Sequence, residues 1–491
     1  MELAVNLDES LPIPLYRQLY EGIRLAILSR RIVPGQKLPS SRSLAKQLNL
    51  SRNTVTLAYA ELQAEGYLVG RHGSGSYVSR ELPDEALEGA VAKVELNSHL
   101  ECRISFKDVP LWSEVAGTDN NKAKLTPPQG LPYDFHPGQG AWDFFPKEIW
   151  RRLLARQWKR RWREIMDYGD PAGYRPLREQ VAAYLGRSRA VRCSPEDVVI
   201  VNGTQQALDL LSRILLKPGQ PVAVENPGYI AARQVFSSYG ARLVPIPVDE
   251  DGIVVERLRG SGARMVLVTP SHQFPTGAAL SLSRRLNLLA WAQNEGGLVL
   301  EDDYDSEFRF QGRPLASLQG LDDSSSVVYL GSFSKVLFPS LRVGYAVLPS
   351  WLIEPFQRAK DLTDRQTPIL EQQVLADLLG EGHFESHLRK MRQLYRARRQ
   401  SLVDSLDRYL GNKAKVMGAD AGMHVMISLE TSMEEAEIVK KAADVGVAVY
   451  PAAAYYCGGS QGQALLMGYA GMNEEQIQEG IKRLANVLGT L

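Results

Sequence analysis

At 491 residues the chain is too long for one hydrophobic core, so two or three domains are expected. Its 44% hydrophobic and 23% charged residues are ordinary for a water-soluble globular protein, and a net charge of +1 gives the whole molecule no pull on a polyanion. Apolar runs such as Gly262–Pro270 are strand-sized rather than membrane-spanning, no secretory signal is visible, and Cys102, Cys193 and Cys457 lack disulfide or metal spacing, so a cytoplasmic protein without metal is expected.

Leu15, Leu19, Ile23 and Ile27 recur at helical spacing, which predicts a first helix over 15–29. Pro34-Gly35 is a turn. Ser40 or Ser41 caps a short helix through Leu48, and Ser51 caps another from Arg52 to Ala64, closed by Gly66. Tyr67-Leu68-Val69 and Ser76-Tyr77-Val78 predict a small hairpin with Gly70–Gly75 as its tip. Residues 11–80 carry ten Lys or Arg against three acids, an excess that suits nucleic acid. A recognition helix enters the major groove by its N-terminal residues. Here Arg52, Asn53, Thr54 and Thr56 supply a guanidinium, an amide and hydroxyls at that end. Lys37, Ser40, Arg42 and Ser51 beside the turns, and Arg71 and Gly73 at the hairpin tip, complete the candidate DNA contacts. The segments PGQKLPSSRSLA and SRNTVTLAYAELQAEG resemble the winged helix-turn-helix of the GntR family over residues 12–80. The resemblance implies double-stranded operator DNA as a partner.

Residues 81–130 lack periodicity and are rich in charged residues, Asn and Pro. They read as a linker, with some local helix over 84–94. From Tyr133 on, short apolar runs alternate with helical stretches. Strands are predicted at Val198–Val201, Pro221–Val224, Arg242–Ile246, Met265–Thr269, Leu298–Glu301, Val327–Leu330 and Gly344–Leu348. That alternation implies an α/β unit, a mostly parallel sheet covered on both faces. Beyond Pro349 a smaller α+β piece is expected, with strands near Met423–Leu429 and Val447–Tyr450.

Five polar motifs fall at strand ends, the edge where open α/β sheets bind ligands. Gly203, Thr204 and Gln205 open a helix, where backbone N–H groups attract a phosphate. Tyr229 follows the second strand and is placed to stack on a flat ring. The run Ser271-His272-Gln273-Phe274-Pro275-Thr276-Gly277 follows the fourth strand, and Asp302 and Tyr304 follow the fifth. In Ser332-Phe333-Ser334-Lys335, with Arg342 seven residues on, hydroxyls and a guanidinium surround a primary amine. Such an amine condenses with the aldehyde of pyridoxal 5'-phosphate to form a Schiff base.

The order of these motifs resembles fold type I pyridoxal-phosphate enzymes of the aspartate aminotransferase class over residues 131–491. By that resemblance Lys335 carries the cofactor and Asp302 faces its pyridine nitrogen. Tyr304 faces the 3-oxygen, Tyr229 stacks, and Gly203, Thr204, Ser332, Ser334 and Arg342 hold phosphate. Tyr168, in Tyr168-Gly169-Asp170-Pro171, resembles the segment that reaches a partner subunit's cofactor, which implies a homodimer. Two departures bear on the ligand. Phe274 stands where such enzymes commonly carry Asn, leaving Gln273 or His272 to replace its hydrogen bond. Leu466 stands where amino-acid transaminases carry an Arg for the α-carboxylate.

Three domains result: a reader at 12–80, a linker at 81–130 and a cofactor and dimerisation unit at 131–491. With the motifs SHQFPTG, EDDYDSEF and AGMH, this layout resembles the MocR/GabR regulators. The resemblance implies a bacterial transcriptional regulator, nucleoid-associated when bound to DNA and gated by pyridoxal phosphate. Its effector is pyridoxal phosphate itself, an amine or an amino acid, and any transaminase activity is residual. The rival reading is an active aminotransferase with an accessory DNA-binding domain. The basic stretch Trp150–Arg163 is either a second DNA-facing surface or a solvated helix face.

Overall fold

The computed structural model describes residues 7–8, 13–71, 75–80, 82, 127–310, 316–418, 421–459 and 462–489. Gly73, Cys102, the helix expected at 84–94 and nearly all of the 81–130 linker lie outside the described residues. The chain forms two compact units, Met1–Ser105 and Phe106–Leu491.

In the first unit, helix α1 (Leu15–Leu28) buries Leu19, Tyr20, Ile23, Ala26 and Ile27, the stripe its spacing predicts. Helix α2 (Ser41–Gln47) starts where the Ser40 hydroxyl accepts from the Ser43 N–H. Helix α3 (Arg52–Ala64) starts where the Ser51 hydroxyl accepts from the Thr54 N–H at 3.0 Å. Gly66 takes the left-handed conformation (φ +86°) that ends α3. Strands β1 (Leu68–Arg71) and β2 (Gly75–Val78) pair antiparallel, Leu68 opposite Val78. Tyr59 donates to the Pro39 carbonyl at 2.9 Å, tying α3 to the segment that leads into α2.

The second unit is built on an eight-stranded sheet. Its strands are β4 (Val198–Val201), β5 (Pro221–Asn226), β6 (Arg242–Asp249), β7 (Gly252–Ile253), β8 (Met265–Val268), β9 (Leu298–Asp303), β10 (Val327–Ser332) and β11 (Gly344–Val347). Their spatial order is β4-β11-β10-β9-β8-β5-β6-β7, and a short β3 (Tyr133–Asp134) lies elsewhere. Neighbours from β10 to β6 run parallel; β11 and β7 run antiparallel. Side chains alternate between the two faces: Leu298 and Leu300 pack in one core with Val199 and Val201, while Val299 packs in another with Val266 and Val268. β6 runs three residues past the predicted end, through Pro247. Only the two-residue β7 lies beyond it, so a missing N–H costs little there.

Around the sheet lie α4 (Lys147–Ile165), α5 (Arg175–Arg189), α6 (Thr204–Leu215), α7 (Ile230–Ser238), α8 (Leu282–Glu295), α9 (Ser350–Asp364) and α10 (Ile369–Gly380). The 28-residue α11 (His383–Leu410) leads to a small antiparallel sheet of β12 (Ala414–Met417), β13 (His424–Leu429), β16 (Gln463–Gly468) and β15 (Tyr450–Pro451), flanked by α12 (Glu435–Asp444) and α13 (Glu474–Val487). The strand predicted at Val447–Tyr450 is split: β14 (Val447–Ala448) pairs with β3, while Tyr450 belongs to β15.

Candidate functional site

The carboxyl ends of β4, β5, β8, β9 and β10 enclose a cavity of about 230 Å3. Thr204, Gln205, Tyr229, Asp302, Tyr304, Ser332, Ser334, Lys335 and Arg342 all line it. Residues 204 to 342 in sequence meet there because each follows a buried strand of one sheet.

One end of the cavity is built for an anion. Gly203 turns the chain from β4 into α6 at φ +83°, and a Cβ on it would lie 3.0 Å from Arg342 Nη2, so glycine alone fits. Arg342, left-handed at φ +50°, donates from Nη2 to the Asn202 carbonyl at 2.9 Å. The Ser334 N–H donates to Ser332 Oγ at 3.0 Å, and Ser334 Oγ is buried with no hydrogen-bond partner among the described residues. Beneath this cup Asp364 accepts from Asn202 Nδ2 at 2.6 Å, Gln206 Nε2 at 2.7 Å and the buried Lys360 ammonium at 2.9 Å. Sequence reasoning missed Lys360 and Asp364; an i, i+4 Lys–Asp pair on a helix usually marks a solvated face.

The other end suits a cationic ring. Asp302 is buried and its Oδ1 has no partner among the described residues. Burial first, then the charges of Asp303 and Glu225, push its carboxyl up to about 7. Lys335 is lowered by burial, against the raising charges of Asp305 and Asp302. Tyr304 Oη and Asp305 Oδ2 each lie 3.0 Å from His272 Nδ1. These groups fit pyridoxal phosphate: an orphaned hydroxyl in an anion cup, an orphaned carboxylate for a pyridinium N–H, and a primary amine between them. Gly138, also missed in the sequence, closes the mouth: a Cβ there would lie 3.0 Å from Lys335 Nζ.

One expected contact of this chain's own cavity lies elsewhere. Gln273 faces away beneath the cavity. Its amide donates to Glu225 and to the Pro227 and Phe274 carbonyls, and accepts from Thr276, so no capacity remains for a ligand. Tyr168 is 74% exposed, with the Arg365 guanidinium 5.2 Å from its ring, and takes no part in its own chain's cavity. His272 Nδ1 is engaged by Tyr304 and Asp305, while its Nε2 is buried with no partner among the described residues. Phe274 sets its ring edgewise to Tyr229, Tyr304 and Tyr455 at 5.1–6.1 Å. Leu466 is fully buried with Met426, Ala452 and Ala464, and Phe274 and Tyr455 pack against this group. Leu466, where the resemblance expects an arginine, thus lies within an apolar cluster.

In the reader unit, Arg52, Asn53 and Thr56 are exposed at the start of α3, and Arg42 is exposed on α2. Two expected donors are partly engaged: Thr54 Oγ1 lies 2.8 Å from Ser51 Oγ, and Thr56 Oγ1 donates to the Arg52 carbonyl at 2.9 Å. Lys37 Nζ sits 5.7 Å from the Tyr77 ring centroid, and Arg71 ends β1. On α4, Arg156 pairs with Glu381 and Asp377, Arg151 with Glu148, and Arg152 with His383. Arg161 stacks on Tyr174. Lys159 and Arg160 remain exposed.

A family described as aminotransferase class I and II matches residues 140–484, and one described as bacterial regulatory proteins, gntR family, matches residues 15–78. The chain is 37% identical to the probable rhizopine catabolism regulatory protein MocR of Rhizobium meliloti, over 97% of this chain and 94% of that one. It is 28% identical to the HTH-type pyridoxine biosynthesis transcriptional regulator PdxR of Corynebacterium glutamicum, over 97% and 96%. The crystal structure of LysN, an α-aminoadipate aminotransferase of Thermus thermophilus, matches with a TM-score of 0.69 and 32% identity, over 77% of this chain and 98% of that one.

Proposed function

The chain belongs to the class I and II aminotransferase family and carries a gntR-type reader in the same polypeptide, and from that premise we propose that it is a transcriptional regulator whose DNA binding is gated by pyridoxal phosphate held at Lys335. The observation that carries the reading is one cavity in which the Lys335 amine, the unpartnered Asp302 oxygen and the unpartnered Ser334 hydroxyl converge. Bound there, the cofactor supplies an aldehyde for the amine and an electron-withdrawing ring. Asp302 would hold the ring's N–H, Tyr229 would cover its face, Tyr304 would donate to its 3-oxygen, and Thr204, Ser332, Ser334 and Arg342 would hold its phosphate. The division at 12–80, 81–130 and 131–491 belongs to the same proposal. So does a homodimer in which Tyr168 reaches the partner's cofactor.

The wall of Phe274, Tyr455 and Leu466 offers no bidentate grip on an α-carboxylate. That disfavours an aminotransferase acting on ordinary amino acids. It favours pyridoxal phosphate itself, or an amine, as effector; the PdxR relative is named for pyridoxine biosynthesis. The reading predicts that operator affinity, measured by fluorescence anisotropy on the chain's own upstream DNA, changes at least tenfold on adding pyridoxal phosphate. Lys335→Ala is expected to abolish the change. Equal affinity with and without the vitamer would remove the sensing role, and steady turnover with amino donors would restore the enzyme reading.

A further inference from the structure

A second cavity of about 460 Å3 shares no lining residue with the first. It opens between the end of α5, the turn after β9 and the first turns of α11. Five guanidinium groups line it: Arg187, Arg189, Arg309, Arg389 and Arg392. Three are engaged. Arg187 lies 3.4 Å from Glu385, Arg189 is buried and donates to Asp303 at 2.8 Å, and Arg392 donates to the Glu307 carbonyl at 2.5 Å.

The other two are not. Arg309 Nε is buried without a hydrogen-bond partner, and Arg389 has no side-chain partner among the described residues. A buried guanidinium nitrogen lacking an acceptor costs free energy unless an anion supplies one. Two glutamates, Glu307 and Glu385, leave the lining in excess positive charge. The volume suits one small molecule.

We propose that this pocket binds a small polyanion bearing phosphate or clustered carboxylates, with Arg309 and Arg389 as its primary contacts. Guanidinium forks match both oxyanion types in pairs of parallel hydrogen bonds. Arg189 ties the pocket to Asp303, the residue next to Asp302.

Isothermal titration calorimetry on the full chain loaded with pyridoxal phosphate provides the test, because loading fills the cofactor's own phosphate cup. Inorganic pyrophosphate and citrate are the probes, and the tighter of the two assigns phosphate or carboxylate as the source. Saturable binding of one probe per chain is expected, weakened at least tenfold in Arg309→Gln/Arg389→Gln with the cofactor absorbance unchanged. Arg389→Gln alone, at an exposed position, is expected to weaken it several-fold without any folding defect. The proposal is overturned if neither probe binds, if the double variant binds as the wild type does, or if that variant loses operator affinity while its probe affinity stays the same. The last result would make the arginines DNA-phosphate contacts.

Discussion

Lys335 is the residue on which the cofactor chemistry turns. Borohydride reduction in the presence of pyridoxal phosphate should leave an adduct on its peptide by mass spectrometry, and none in Lys335→Ala. Asp302 gives a pH signature. Its carboxyl sits at about 7 in the folded chain against 3.8 ordinarily, and Glu225 and Glu301 are likewise raised to about 7, chiefly by burial. A raised carboxyl keeps its proton in the folded state while the unfolded chain gives it up. The cofactor-free protein should therefore lose stability as pH rises from about 4 to 7, by on the order of 1 kcal/mol or more per group. Asp302→Asn should flatten part of that slope in thermal melts at pH 5 and 7; an unchanged slope would show that Asp302 ionises freely. Asp302, Ser334 and Lys335 could be singled out in the sequence because each stands at the carboxyl end of a strand or just past it. Lys360, Asp364 and Gly138 were not, because their roles arise only when distant segments fold together.

At the scale of elements, α3 was readable to the residue: Ser51 caps it and Gly66 ends it, local signals that tertiary packing does not override. Ser51→Ala is expected to cost about 1 kcal/mol of reader stability, seen as a lower melting midpoint. Arg52→Ala should weaken operator binding by about 1–3 kcal/mol and relax preference at one base position, read by anisotropy across single-base operator variants. The strand at Val447–Tyr450 was less legible. Its four residues look like one apolar run, yet β14 and β15 join different partners, a division made by long-range pairing alone. Charge counting left the basic helix α4 open between a DNA-facing surface and a solvated face; in the structure Arg151, Arg152 and Arg156 have partners within their own unit. Reversing Lys159 and Arg160 to Glu should leave the salt dependence of operator binding intact. A slope shallower by about two would place α4 on DNA.

At the scale of the molecule, the sequence displayed both units because each carries motifs of its own, whereas nothing local encodes how a ligand is sensed. Trp158, Trp162 and Tyr168, 46–74% exposed, are large aromatic groups left on the surface of a single chain. If the proposed homodimer covers them, Trp162→Arg should shift sedimentation from dimer to monomer and lower cofactor affinity together. A dimer that survives the change unaltered would place the interface elsewhere.

The short β3 gives this architecture a mechanical bias. Tyr133 and Asp134 pair with Val447 and Ala448, Asp134 accepts from the Tyr450 hydroxyl at 2.9 Å, and the Phe135 carbonyl accepts from the Gly468 N–H. Among the described residues, this segment near the start of the second unit thus pairs with strands of the C-terminal piece and not with strands of the eight-stranded sheet. A shift of that piece would carry residues 133–135 with it, because their backbone bonds are made to its strands.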